Sequence, residues 1–253
     1  MKTLHDLRLL FLRPFLQYAR NPSFLVVNLT TPILYLVLFM PLLKKISGPG
    51  ITSSSVVQTF LPGIIALLFA MAGLFSVYPT IFELNKGVIE RFRVTPASRF
   101  ALLMGPILMW DVWTLISSAL IVEISVAFGF HVHLLGLAIF AVLLVFLLTL
   151  FDAWVTAIAV LMKGEITSIS GIVSGLNLPI LLLAGVMLPL SLAPGWMRAI
   201  AHVNPLFYGV SAGRDLSAGH LATFNVGLAF AVIVPLTALV LWWATRVYQR
   251  AIG

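Results

Sequence analysis

Three acidic residues lie inside long apolar stretches of the chain: Asp111, Glu123 and Asp152. A charged carboxyl in hydrocarbon is costly, so such a residue faces a cavity, a wet path or a hydrogen-bonding partner. The chemistry open to the three is a proton relay, a polar spot on a path through the chain, or hydrogen bonding between helices. Helical spacing restricts the first. Asp111 and Glu123 stand about 120° apart around a helix, so they share no face. Asp152 and Lys163 nearly share one, but about 16 Å of helix axis separates them. Each acid therefore looks isolated along its own helix. Asp111, flanked by Trp110 and Trp113, lies near enough to an interface to be partly wet. Tyr208 is a fourth residue that could line such a path, although an aromatic at helical spacing is more often packing.

Other chemistries have no residues to carry them. No stretch reads GxxxxGK[ST], so no loop cradles a nucleotide phosphate. There is no cysteine and no GxSxG elbow. His131 and His133 alternate in a short turn and read as an interfacial pair, not as metal ligands.

The elements that hold these residues follow from composition. The 253 residues are 61% hydrophobic and 9% charged, far below the roughly 25% charge of a soluble domain. The chain reads as an all-α polytopic membrane protein with no removable signal peptide. Its net charge of +7 is scattered at the ends of apolar segments, which points to lipid head groups rather than nucleic acid. Residues 1–22 read as an amphipathic helix in the interface, with Lys2, Asp6, Arg13, Gln17 and Arg20 at helical spacing. Six spans follow, at about 24–43, 57–82, 100–128, 134–162, 167–188 and 223–245. A polar linker covers 47–55. Residues 185–215 carry repeated helix breakers and apolar pieces too short to cross, the pattern of a re-entrant hairpin.

Between the second and third spans lies the densest charge in the chain, residues 83–99. On a helix, Glu83, Lys86, Glu90 and Arg93 fall within an arc of roughly 80°, with Leu84, Val88, Ile89 and Phe92 on the other side. Pro96 ends that helix. Two readings stay open on the pattern alone: a solvated loop helix, or a helix whose charged face is gripped by a soluble partner. Of 15 Lys and Arg, eleven fall on the side of the two termini, the 83–99 segment and the turn at Lys163. The excess places that side in the cytoplasm and the 185–215 hairpin outside.

Two runs resemble a known family. One is GVIERFRVTPASRFALLMG at 87–105, preceded by Pro62-Gly63 in the second span. The other is LAGVMLPLSLAPGWMRAIAHVNPLFYGVSAGRDL at 183–216. In this order they resemble the permease subunit of ABC-2 type exporters of drugs, polysaccharides and lipo-oligosaccharides, over nearly the whole chain. The resemblance implies a dimer of permeases, most simply a homodimer, paired with two copies of a separate ATPase in a bacterial or archaeal cytoplasmic membrane. This chain would then hold no cofactor, with ATP and Mg bound by the partner, and would catalyse nothing itself. Residues 83–99 become the coupling helix, with Glu83, Lys86, Glu90, Arg91, Arg93, Thr95, Pro96 and Arg99 at the contact. Lys163 and Glu165 become a second, smaller contact. Residues 185–215 become external re-entrant helices, with Pro194, Trp196, Asn204, Pro205, Tyr208 and Arg214 in signature positions. Where many members carry Glu-x-Gly-Thr before the Glu-Arg pair, this chain has Asn85-Lys86-Gly87-Val88. A proton-coupled secondary transporter, using the buried acids, is the competing reading.

Overall fold

A computed structural model describes residues 53–78, 80–81, 99–186 and 193–252, with short helical pieces between 11 and 38. These residues form seven helices beyond the short pieces: α1 (Ser53–Phe75), α2 (Arg99–Val126), α3 (Leu134–Leu161), α4 (Ile166–Leu183), α5 (Gly195–Ala201), α6 (Pro205–Ser217) and α7 (Phe224–Ile252). Five of them, α1 to α4 and α7, are long and apolar enough to cross a membrane. Most of the first expected span, most of the N-terminal interfacial helix and residues 83–98 lie outside the described residues.

Where helix ends differ from expectation, the reason is local. The linker expected to run to residue 55 stops earlier, because α1 already begins at Ser53. Its first turn is tied down by the Ser54 hydroxyl, which donates to the Gly129 carbonyl at 2.6 Å. The fifth span ends at Leu183 rather than 188. Gly185, with φ 66°, takes the left-handed conformation that stops a helix. The last helix runs on to Ile252, beyond the expected 245. Tyr248 explains the extra turns, since it is buried against Ile107, Ala157 and Val160.

The core is built around α3. Phe140, Leu143, Leu147 and Leu148 pack against Leu61, Phe69 and Leu74 of α1 and against Leu206, Val210 and Ile233. Close approach is set by glycine. A Cβ on Gly73 would lie 2.9 Å from the Leu148 carbonyl oxygen, so the missing side chain lets α1 touch α3 there. A Cβ on Gly136 would collide with the backbone of Leu216, and its absence brings α6 against α3.

Between α4 and α7 the chain makes two short helices and returns. The 13 residues of α6 rise about 20 Å, too little to cross a hydrocarbon core of about 30 Å. Asn204 caps α6 by accepting from the Leu206 amide at 3.0 Å, with Pro205 in the first helical position. Leu206, Val210, Ala212 and Leu216 are buried. The hairpin expected from the helix breakers is thus a helix inserted into the core, and it extends to Ser217.

Candidate functional site

Asp111 of α2 and Asp152 of α3 are both 3% exposed, and Thr149, which bonds Asp111, lies one turn before Asp152 on α3. Expectation had them isolated, because spacing along one helix says nothing of a neighbouring helix. Packing of α2 on α3 brings them together. The Thr149 hydroxyl donates to Asp111 Oδ2 at 3.3 Å, and the Thr156 hydroxyl donates to Asp152 Oδ1 at 3.1 Å. Ser76 follows α1 and lies beside Asp152; its hydroxyl donates to the Gly73 carbonyl at 2.7 Å. The other two carboxyl oxygens, Asp111 Oδ1 and Asp152 Oδ2, are buried without a hydrogen-bond partner among the described residues. Such a cluster can do two things. It can take up a proton on a buried carboxyl, or it can tie α2 to α3 through the Thr149 hydroxyl. The sequence signal that could have found it is Thr149, Asp152 and Thr156 at helical spacing on one face of α3.

The remaining path candidates stand elsewhere. Glu123 is exposed, one turn before α2 ends at Val126, and does not join the pair. Tyr208 is half-buried on α6; its hydroxyl donates to the His202 carbonyl at 2.9 Å, and its ring meets Phe207 edge-on. It braces the α5–α6 elbow.

Of the coupling residues, Glu83, Lys86, Glu90, Arg91, Arg93, Thr95 and Pro96 lie outside the described residues, and Arg99 opens α2. Lys163 and Glu165 are exposed in the α3–α4 turn. That turn closes with Gly164 N–H on the Ala159 carbonyl at 2.9 Å and Lys163 N–H on the Val160 carbonyl at 3.1 Å, the Schellman pattern. Lys163 holds φ 53° there, a position glycine would take more easily.

At the opposite end, polar residues bind α6 to its neighbours. Pro62 has no N–H, so it frees the Gln58 carbonyl one turn before it; the Ser217 hydroxyl reaches that carbonyl at 3.5 Å. The Gln58 side chain donates to the Ser217 carbonyl at 2.5 Å and accepts from the His131 amide at 3.0 Å. By charge count alone, Arg214 belongs to the outer-side cations that set orientation. In the fold it donates to the carbonyls of Thr59 at 3.1 Å and Gly185 at 2.7 Å. Burial draws its pKa down from the usual arginine value, yet a guanidinium stays charged in proteins. It therefore ties α1, the end of α4 and α6 together. Asp215 accepts from Thr223 at 2.6 Å and Asn225 at 3.0 Å, fixing the entry to α7.

Comparison with known proteins adds to this geometry. Residues 5–216 match the family model described as ABC-2 type transporter. The chain is similar to the daunorubicin resistance ABC transporter permease protein DrrB1 of Streptomyces coeruleorubidus, 25% identical over 94% of this chain and 84% of that protein. It is also similar to the putative transport permease ycf38 of Cyanophora paradoxa, 28% identical over 84% of this chain and 74% of that protein. A second ycf38 permease, from Porphyra purpurea, is 27% identical over 83% of this chain and 73% of its own length.

Proposed function

The chain belongs to the ABC-2 type transporter family, and from that premise we propose that it exports an amphipathic or lipid-linked substrate, powered by a separate ATPase. It is the membrane subunit of such a transporter and not an enzyme. The proposal names the cargo only by class: a drug, glycolipid or polysaccharide leaving the cytoplasm or the inner leaflet. Two permease copies and two ATPase copies form the machine in a bacterial or archaeal cytoplasmic membrane, with both ends of this chain in the cytoplasm.

One observation carries the reading. A charged segment, 83–99, whose sequence is two-faced when placed on a helix, joins α1 to α2 in a chain without a phosphate-cradling loop. ATP-driven closure of the partner pushes that segment, and the helices on either side carry the displacement as rigid elements. Glu83, Lys86, Glu90, Arg91, Arg93, Thr95, Pro96 and Arg99 form the main contact, and Lys163 with Glu165 the smaller one. A second copy of the chain packs on the Gly171–Gly175 face of α4. This helix has only Ile169 and Val173 buried, and a Cβ added to Gly171 or Gly175 would meet nothing within 4 Å.

The test uses the permease with its ATPase in vesicles. Glu90→Lys and Arg93→Glu, made separately, are expected to abolish permease-stimulated ATP hydrolysis while leaving membrane insertion intact. Stimulation kept by both variants ends the proposal. The Asp111–Asp152 pair favours a second reading, a proton-coupled transporter that needs no ATPase.

A further inference from the structure

A cavity of about 540 Å³ lies between α3, α4, α7 and the α5–α6 elbow. Its volume is in the range of ligand sites, roughly 300–1,000 Å³. Its walls include Leu150 and Phe151 of α3, Leu176 and Ile180 of α4, and Leu236 and Val240 of α7. These positions fall in the middle stretches of α3 and α7 and in the second half of α4. Proline helps to shape it. Pro179 is in the wall and Pro235 precedes Leu236, so each flanking helix loses a backbone hydrogen bond at this level.

The polar inventory of the cavity decides what can fill it. Among the described residues of its wall, the Asn204 amide and the Trp154 indole N–H are the polar side-chain groups. The amide is already engaged at both ends: Nδ2 donates to the Ile180 carbonyl at 2.8 Å, and Oδ1 accepts from the Leu206 amide. A water needs two to four polar partners, about three on average, and a described wall of eleven apolar residues with one indole N–H and one engaged amide offers it little. A cargo with polar ring substituents would bury them unpaired. Left empty, the walls lose dispersion contacts on one side. An unsubstituted hydrocarbon chain meets every condition, and the bilayer supplies it. The cavity also has an apolar mouth, since two of its residues, Ile200 and Val203, are 47% and 82% exposed.

We propose that this cavity is a binding site for the acyl chain of a membrane phospholipid. The site stands whether or not the export reading holds. The full chain is placed in phosphatidylcholine vesicles containing a fraction of phosphatidylcholine with a diazirine in one acyl chain. After irradiation, adducts are located by peptide mass spectrometry. Adducts on Leu176, Ile180 and Val240 are expected about tenfold above those on Leu135 and Leu239, a preference of about 1.4 kcal/mol over bulk lipid. Leu135 and Leu239 are exposed apolar positions outside the cavity. Leu176→Trp fills the space and removes the enrichment, leaving Leu135 labelled as before; Val240→Phe reads the same point should the first variant fail to fold. Equal labelling at all five positions overturns the proposal, as does enrichment that survives filling. The chain has no cysteine, so Ile180→Cys gives a single thiol. Disulfide linkage of two such chains through it would assign the cavity to a second copy and also overturn the proposal.

Discussion

Lys163 holds a left-handed backbone angle, φ 53°, in the turn between α3 and α4. A side chain there costs roughly 1–2 kcal/mol, and strain kept at an exposed turn points to a use for the side chain. Lys163→Gly is expected to raise stability by about 1 kcal/mol, less than the full strain because glycine gains freedom in the unfolded chain. Thermal unfolding of the purified protein checks this. If the ammonium meets the ATPase, the same variant lowers stimulated ATP hydrolysis, and a variant that is more stable and equally stimulated removes Lys163 from the contact. Gly136 carries the opposite expectation. Its missing Cβ is where the Leu216 backbone sits, so Gly136→Ala should destabilise by about 1–3 kcal/mol, the usual cost of overpacking. Asp111 and Asp152 were each legible in the sequence as acids out of place. That they meet was not, because the meeting depends on how α2 lies on α3.

Among the elements, α6 departs most from its sequence pattern. Helix breakers before it announced a hairpin, and Asn204-Pro205 announced its start. Its depth was not announced, because depth comes from glycine contacts and polar ties to distant residues: Gly136 to Leu216, Gly213 to Phe140, Gln58 to Ser217. Most span limits, in contrast, were legible to within a few residues, since length and apolarity fix them. The polar ties make a prediction for the element. Gln58→Leu leaves the Ser217 carbonyl and the His131 amide without their partner, at a cost of about 1–3 kcal/mol for each group that stays buried. The expected result is faster protease cleavage near residues 218–223, where α6 hands over to α7, with α3 unaffected. Arg214→Lys keeps charge but loses the fork between Thr59 and Gly185, so it should show the same cleavage to a smaller degree. Unchanged cleavage in both variants would mean that apolar packing alone seats α6.

For the whole molecule, the question is where the energy for movement enters. Two places can receive it. One is the segment between α1 and α2. The other is the Asp111–Asp152 pair, which lies between α2 and α3, with Ser76 beside it just past the end of α1. If the segment is where a partner pushes, α1 and α2 would move against α3 at the level of the pair, and the two places would be mechanically linked. If ATP is the source, the pair is a joint that hydroxyls hold while the helices tilt. Asp111→Asn with Asp152→Asn then preserves the joint, since an amide still accepts from Thr149 and Thr156. ATP-driven transport by the complex should survive this double variant, while the permease alone should move nothing down a proton gradient. If protons are the source, the outcomes reverse: the permease alone transports, and the double variant abolishes it. Vesicles with and without the ATPase, each under a proton gradient, separate the two. Gradient-driven transport by the lone chain, lost in the double variant, would move the working centre from the charged segment to the two buried acids.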